Sequence, residues 1–133
     1  MQPLTRILML ALIGAAGTVA RYAFAGLIQK LSGASFPFGT LAVNMAGCLL
    51  FGIVWSLFEG KIISPDTRLL ILVGFMGAFT TFSTFTFETG QFLRDGQIGF
   101  AALNIIIQNT GGLAVFFLGL FIGRILIFKG GHL

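Results

Sequence analysis

The sequence predicts an all-α membrane protein with four transmembrane helices, the third of them broken. Only 9% of the 133 residues are charged and 56% are hydrophobic, and the mean hydropathy is +1.00. A soluble chain carries roughly 25% charged residues, so this chain lacks the charge that a water-facing surface needs. We therefore expect a single transmembrane domain, residues 1–133, with the lipid bilayer as its main partner.

Each predicted helix is justified by the length of an apolar stretch, because a helix needs about 20 apolar residues to cross a bilayer. The first stretch could also be a signal peptide, since Arg6 precedes an apolar run that contains the small residues Ala16 and Ala20. It continues past Arg21 and reaches spanning length, so the sequence favours a retained helix. The four spans run from about Ile7 to Ile28, Phe38 to Phe58, Leu69 to Phe87 and Ile98 to Phe128.

The composition also excludes several classes of function. The chain has one cysteine, Cys48, and one histidine, His132, so it cannot form an internal disulfide or a zinc site of cysteine and histidine ligands. Its eight Lys and Arg residues are scattered singly and form no basic stripe. We expect neither an enzyme nor a nucleic-acid-binding protein.

Basic residues at the ends of the spans indicate orientation only weakly. One end has five and the other has three when Arg21, just inside the first span, is included. Two interpretations remain open: a protein with its N-terminus in the cytoplasm, or a protein inserted in both orientations that assembles with an inverted copy. The five are Arg6, Lys61, Arg68, Arg124 and Lys129, and the three are Arg21, Lys30 and Arg94.

Polar side chains inside the spans predict a polar pathway. Asn44 lies in the middle of the second span, with Thr40 four residues earlier on the same helical face. The fourth span contains Asn104, Gln108 and Asn109. An unpaired polar group in hydrocarbon is costly, so such residues either bond to a neighbouring helix or line a wet cavity. Because four helices enclose little volume, we expect the pathway to need an oligomer.

The third span contains a segment that disfavours a continuous helix. Five Ser or Thr residues occupy seven positions, 80–86, after Gly74 and Gly77, and their hydroxyls compete for backbone groups. The alternative is a continuous helix whose hydroxyls bond back to the preceding turn. A break would expose carbonyls and amides at membrane depth, which predicts an ion site.

Two of the sixteen phenylalanines are candidates for that site. Phe82 and Phe85 share a helical face at a spacing of three. Aromatic rings have a positive edge, so ring edges in a narrow pore favour a small anion without a fixed cation. Weak contacts of this kind also let the ion leave.

Three motifs match a known family: Gly17-x-x-x-Arg21, Gly39-Thr40-Leu-x-Val-Asn44-x-x-Gly47, and Gly77-x-x-Thr80-Thr81-Phe82-Ser83-Thr84-Phe85-x-x-Glu88. By these motifs the chain resembles the small Fluc (CrcB) fluoride channels of microbes across all four spans. The resemblance implies passive fluoride export across the cytoplasmic membrane. It further implies a dual-topology homodimer of antiparallel subunits, two fluoride pores at the dimer interface, and a structural sodium ion at its centre.

The resemblance also assigns roles to individual residues. Phe82 and Phe85 would line the pores, and Asn44 would donate its amide to fluoride. Backbone carbonyls of Gly77 and Thr80 would hold the sodium ion, which prefers hard oxygen ligands. The remaining implied pore residues are Thr40, Ser83, Thr84 and Glu88, with Arg21 near a pore mouth.

The chain departs from the family pattern in its fourth span, where a tyrosine and then serines are usual. The aligned residues here are Asn104, Gln108 and Gly112. Amides donate hydrogen bonds as hydroxyls do, so Asn104 and Gln108 remain candidate pore residues.

Two other functions compete with the channel. A small proton-coupled multidrug exporter needs a carboxylate in the membrane, and Glu88 is the only candidate in the spans. A non-transporting assembly subunit would explain the pairs Ala42/Ala46 and Gly119/Gly123, which suit close helix packing. It would not explain the cluster of Thr, Ser and Phe, so the channel is favoured.

Overall fold

The computed structural model describes residues 2–129, with side chains described through residue 128, and this part of the chain is almost wholly helical. Helix α1 is Pro3–Ser32 and α2 is Phe38–Glu59. The third span is divided into α3, residues 65–79, and α4, Phe82–Arg94. Helix α5 covers residues 98–129.

The four predicted spans are confirmed. By length and composition, four helices in the described residues could cross a membrane: Pro3–Ser32, Phe38–Glu59, Pro65–Arg94 and Ile98–Phe128. Large apolar side chains cover much of the surface, as a protein surrounded by lipid requires. The protein is a multi-pass membrane protein.

The side chain of Gln29 holds the connection between α1 and α2 through three hydrogen bonds. Helix α1 ends at Ser32 and is capped by Gly33, whose φ of 58° places it in the left-handed region. Gln29 Nε2 donates to the carbonyls of Ala34, at 2.8 Å, and Phe36, at 3.1 Å. Gln29 Oε1 accepts from the Gly39 amide at 3.0 Å. One side chain thereby satisfies three backbone groups of the short connection.

Helices α2 and α5 pack with their backbones in close contact. A Cβ atom placed on Gly52 would meet the Phe116 carbonyl oxygen, and one on Gly119 would meet the Leu49 carbonyl oxygen. Gly123 faces Ser56, where an added Cβ would lie 2.6 Å from the Ser56 Cβ. The small residues Gly119 and Gly123 therefore serve packing within the subunit.

Two helices contain a wide, π-helical turn at membrane depth. The turns are Leu70–Met76 in α3 and Ile107–Gly111 in α5. Such turns accommodate an extra residue and are frequent at functional sites. Here one precedes the break in the third span and the other carries Gln108.

Candidate functional site

The third span breaks at two residues, as predicted. Thr80 has φ −88° and ψ 162°, and Thr81 has φ −151° and ψ 112°, so both are extended. Helix α4 then starts at Phe82, because the Thr81 hydroxyl accepts from the Thr84 amide at 3.2 Å and caps the helix. The break leaves backbone groups of Thr81 without helical partners.

Asn44 of α2 satisfies both backbone polar groups of Thr81. The Thr81 amide donates to Asn44 Oδ1 at 2.9 Å, and Asn44 Nδ2 donates to the Thr81 carbonyl at 3.1 Å. The same nitrogen also donates to Gln108 Oε1 of α5 at 3.1 Å. One amide thus joins the break to two other helices.

Thr80 is held from three sides. Its hydroxyl donates to the Met76 carbonyl at 2.9 Å, while its own carbonyl lies 3.4 Å from Arg21 Nη1 of α1. On the third side, a Cβ atom on Gly47 would meet Thr80 Cγ2. Arg21 therefore touches the break itself, which the motif alone did not predict.

A cavity of about 400 Å³ opens beside the break. It brings together five of the predicted site residues, namely Asn44, Thr80, Phe82, Phe85 and Gln108. The rings of Phe82 and Phe85 lie 5.4 Å apart between centroids and are inclined by 59°. The cavity is open to the surface of the subunit on the side of Phe82, which is 75% exposed. Phe85 is only 7% exposed.

Thr40 and Glu88 form a separate pair near the cavity. The Thr40 hydroxyl donates to Glu88 Oε1 at 2.6 Å. The other carboxylate oxygen, Glu88 Oε2, is buried and has no hydrogen-bond partner among the described residues. Neither residue lines the cavity beside the break. The pair joins α2 to α4.

Asn104 lies behind α4 and does not line this cavity. It is fully buried, and its Nδ2 donates to the Thr89 hydroxyl at 2.9 Å. Thr89 in turn donates to the Phe85 carbonyl at 2.8 Å. Thr89 is not among the residues predicted from the sequence, although its position four residues after Phe85 places both on one face of a helix.

Ser83 and Thr84 lie in the first turn of α4 and are exposed in the subunit. The Thr81 hydroxyl contacts Thr84 Oγ1 at 2.9 Å and Ser83 Oγ at 3.3 Å. These hydroxyls form a small cluster beside Phe82. Polar groups of this kind are rarely left facing lipid.

A sodium ion would have to be held by backbone oxygens. No group of three or more His, Cys, Asp and Glu residues that could hold a metal exists in the part of the chain that the structure describes. At the break, the Thr81 amide bonds to Asn44 and so does not donate to the Gly77 carbonyl four residues earlier. The Gly77 carbonyl is thereby freed, and a backbone carbonyl oxygen is the kind of hard ligand that suits a hard cation.

The fold and the site define a class: small multi-pass membrane proteins with a polar, aromatic cavity at a helix break. Residues 8–120 match the family described as "CrcB-like protein, Camphor Resistance (CrcB)", and the chain belongs to this family. The resemblance expected from the three motifs is confirmed.

Several relatives share the name "Fluoride-specific ion channel FluC". The protein from Nitrosococcus oceani is 54% identical over 118 residues, covering 88% of this chain and 94% of the relative. That from Nitratidesulfovibrio vulgaris is 50% identical over 121 residues, or 90% and 98% of the two chains. That from Desulforapulum autotrophicum is 43% identical over 122 residues, or 91% and 98%.

Proposed function

We propose that this protein is a fluoride-selective channel, a transporter and not an enzyme, that exports fluoride passively through pores at the interface of an antiparallel homodimer. One observation carries the proposal: Phe82, Phe85 and three amide side chains meet in one cavity at a helix break. The fluoride-specific name of relatives that are up to 54% identical over most of the chain supports it.

The chemistry of the cavity suits a small, weakly held anion. The residues that line it include no Lys or Arg, so no fixed cation binds the ion tightly. Ring edges and N–H groups provide partial positive charge instead. Fluoride is small and accepts hydrogen bonds strongly, so it gains most from donors at close range.

The exposed side of the cavity supports assembly with a second copy. Phe82, Ser83 and Thr84 lie within a membrane span, yet all three are exposed in the single subunit. Exposed hydroxyls are costly in hydrocarbon, and a second subunit would remove them from lipid. The basic residues, five at one end and three at the other, are compatible with an antiparallel arrangement but do not distinguish it from a single orientation.

Sodium is the proposed structural ion, held by the carbonyls of Gly77 and Thr80. When bound, it would supply a positive charge that neutralises the carbonyl dipoles left at the break. The chain's own contribution is to free the Gly77 carbonyl by engaging the Thr81 amide with Asn44, and the Thr80 carbonyl by engaging the Thr84 amide with the Thr81 hydroxyl. Arg21 already supplies one positive charge beside Thr80.

A flux assay tests the proposed function. Purified protein in liposomes is expected to pass fluoride far faster than chloride without a pH gradient, because weak donors select the smaller anion. Ion-selective electrodes would measure both fluxes, with protein-free liposomes as the control. Equal fluoride and chloride fluxes, or strict coupling to protons through Glu88, would refute the channel and favour an exporter.

Labelling tests the antiparallel dimer. Ser35 lies exposed in the loop between α1 and α2, so Ser35→Cys in a Cys48→Ala background gives one accessible thiol. Dual topology predicts that about half of these thiols react with an impermeant maleimide added outside intact cells. Permeabilised cells provide the full-labelling control. Reaction from one side only would establish a single orientation.

A further inference from the structure

We propose that Arg68 holds the phosphate of an anionic phospholipid, and that an acyl chain of this lipid lies in an apolar groove between α2 and α3. The groove is separate from the cavity at the break, with which it shares only the lining residue Phe51. The inference therefore does not depend on which ion the protein conducts.

The Arg68 guanidinium lies over two aromatic rings of α2. Its Cζ atom is 4.0 Å from the centroid of the Phe58 ring and 5.3 Å from that of the Trp55 ring. These cation–π contacts hold the cation, but the rings offer no oxygen to its five N–H donors. No side-chain hydrogen bond or ion pair joins Arg68 to another residue in the part of the chain that the structure describes. Its donors are left for an acceptor from outside the chain.

The two carboxylates at this end of the spans are engaged with other side chains. Glu59 Oε1 accepts from Trp55 Nε1 at 2.9 Å, and Asp66 Oδ1 accepts from Arg6 Nη2 at 2.9 Å. The same end carries the larger group of basic residues, five against these two acids. Basic pockets between transmembrane helices attract the headgroups of acidic lipids. Charge complementarity therefore favours an anionic headgroup at Arg68.

The position of the groove suits a lipid better than a free anion. The groove has a volume of about 290 Å³ and begins at Arg68, near the start of the third span. Leu72 and Val73 lie four and five residues farther along α3, which is about 6 to 7.5 Å deeper in the membrane. Val73 is 60% exposed, so the groove is open to hydrocarbon. The lining residues are Phe51, Trp55, Arg68, Leu69, Leu72 and Val73.

A second copy of the chain complements Arg68 less well. In an antiparallel dimer, the partner would bring the opposite ends of its spans toward this end. Those ends carry Lys30, Arg94 and Asp95, which include more positive than negative charge. A phosphodiester in the bilayer interface supplies the negative charge that the partner lacks, and it forms charge-assisted hydrogen bonds with a guanidinium.

Native mass spectrometry of the protein in detergent micelles tests the identity of the lipid. Each wild-type subunit should retain one dioleoylphosphatidylglycerol molecule. Dioleoylphosphatidylethanolamine should bind about tenfold more weakly, because its ammonium group offsets the phosphate charge. Inorganic phosphate in excess should not displace the glycerol lipid, since it makes no contact with the apolar wall. Equal binding of the two lipids, or displacement by inorganic phosphate, would overturn the proposal.

Arg68→Gln tests the residue that holds the phosphate. It should weaken phosphatidylglycerol binding by about tenfold, which corresponds to losing a hydrogen bond between charged groups. Arg124→Gln is the matched control, because it removes the same charge from an exposed position at the same end. It should change binding by about twofold or less. Equal weakening by the two variants would mean that the attraction is diffuse and would overturn the assignment to Arg68.

Val73→Trp tests the groove without changing Arg68 or the rings beneath it. The larger side chain should fill the groove and weaken phosphatidylglycerol binding, while the oligomeric state stays that of the wild type. Because Val73 is exposed in the subunit, the fold should tolerate the change, and thermal unfolding without lipid checks this. Unchanged lipid binding would exclude the groove. A change of oligomeric state would assign the groove to a second subunit and overturn the lipid site.

Discussion

Phe82→Ile is expected to lower fluoride flux per folded protein by about tenfold, with little change in stability. Isoleucine retains much of the apolar volume but has no positive ring edge. Phe82 is 75% exposed in the subunit, so the substitution removes little packing inside it. Liposome flux and thermal unfolding in detergent, measured on the same preparation, separate the two effects.

Phe85→Ile should lower both the fluoride flux per folded protein and the stability. Phe85 is almost fully buried, so its ring packs α4 against the rest of the subunit as well as lining the cavity. Phe79→Ile is the matched control: Phe79 is equally buried, and its ring stacks on Phe75 at 5.7 Å. Phe79→Ile should reduce stability and leave flux per folded protein unchanged. Wild-type flux in both the Phe82 and Phe85 variants would exclude the aromatic mechanism.

Gly47→Ala should destabilise the protein by about 1–3 kcal/mol, since the new methyl group has no space at the break. The Cβ atom would meet Thr80 Cγ2, which would displace the extended backbone of Thr80. Flux should fall as well, because the carbonyl of Thr80 and the neighbouring Asn44 contacts would move. The fraction of folded protein by size-exclusion chromatography and the unfolding temperature measure the effect.

A second substitution, Thr80→Ser, should restore the stability that Gly47→Ala removes. Serine at position 80 lacks Cγ2 but keeps the hydroxyl that bonds to the Met76 carbonyl. Thr80→Ser alone should be nearly neutral, and combined with Gly47→Ala it should restore most of the lost stability. If the double variant is as unstable as Gly47→Ala alone, the contact with Thr80 is not the cause.

The existence of the four spans could be predicted from the sequence, because the length of each apolar stretch determines it. The residues at which the helices begin and end could not be predicted in this way. Helix α1 extends from Pro3 to Ser32, beyond the predicted 7–28. Hydrogen bonding continues into the polar flanks, where Arg6 and Lys30 can extend toward water. The break was predicted from the hydroxyls at 80–86, but only Thr80 and Thr81 are extended. Capping by Thr81 allows the helix to resume at once.

The roles of Asn104 and Gln108 could not be separated from sequence. Their spacing of four predicts one shared face in a regular helix. In the structure Asn104 bonds to Thr89 of α4 and Gln108 to Asn44 of α2. The wide turn that starts at Ile107, between Asn104 and Gln108, changes the helical register that relates the two residues. No local sequence pattern predicts that turn.

The wide turns have a consequence for how the chain tolerates changes in length. Deleting one residue from a regular helix rotates everything beyond it by about 100°, since 3.6 residues make a turn. A π-helical turn already holds one residue more than an α-helical turn. Loss of a single residue within Ile107–Gly111 would convert it to regular helix and leave the C-terminal half of α5 facing α2 as before. Between Gly112 and Gly119 the same deletion would turn Gly119 away from Leu49 and place a bulkier side chain in its position.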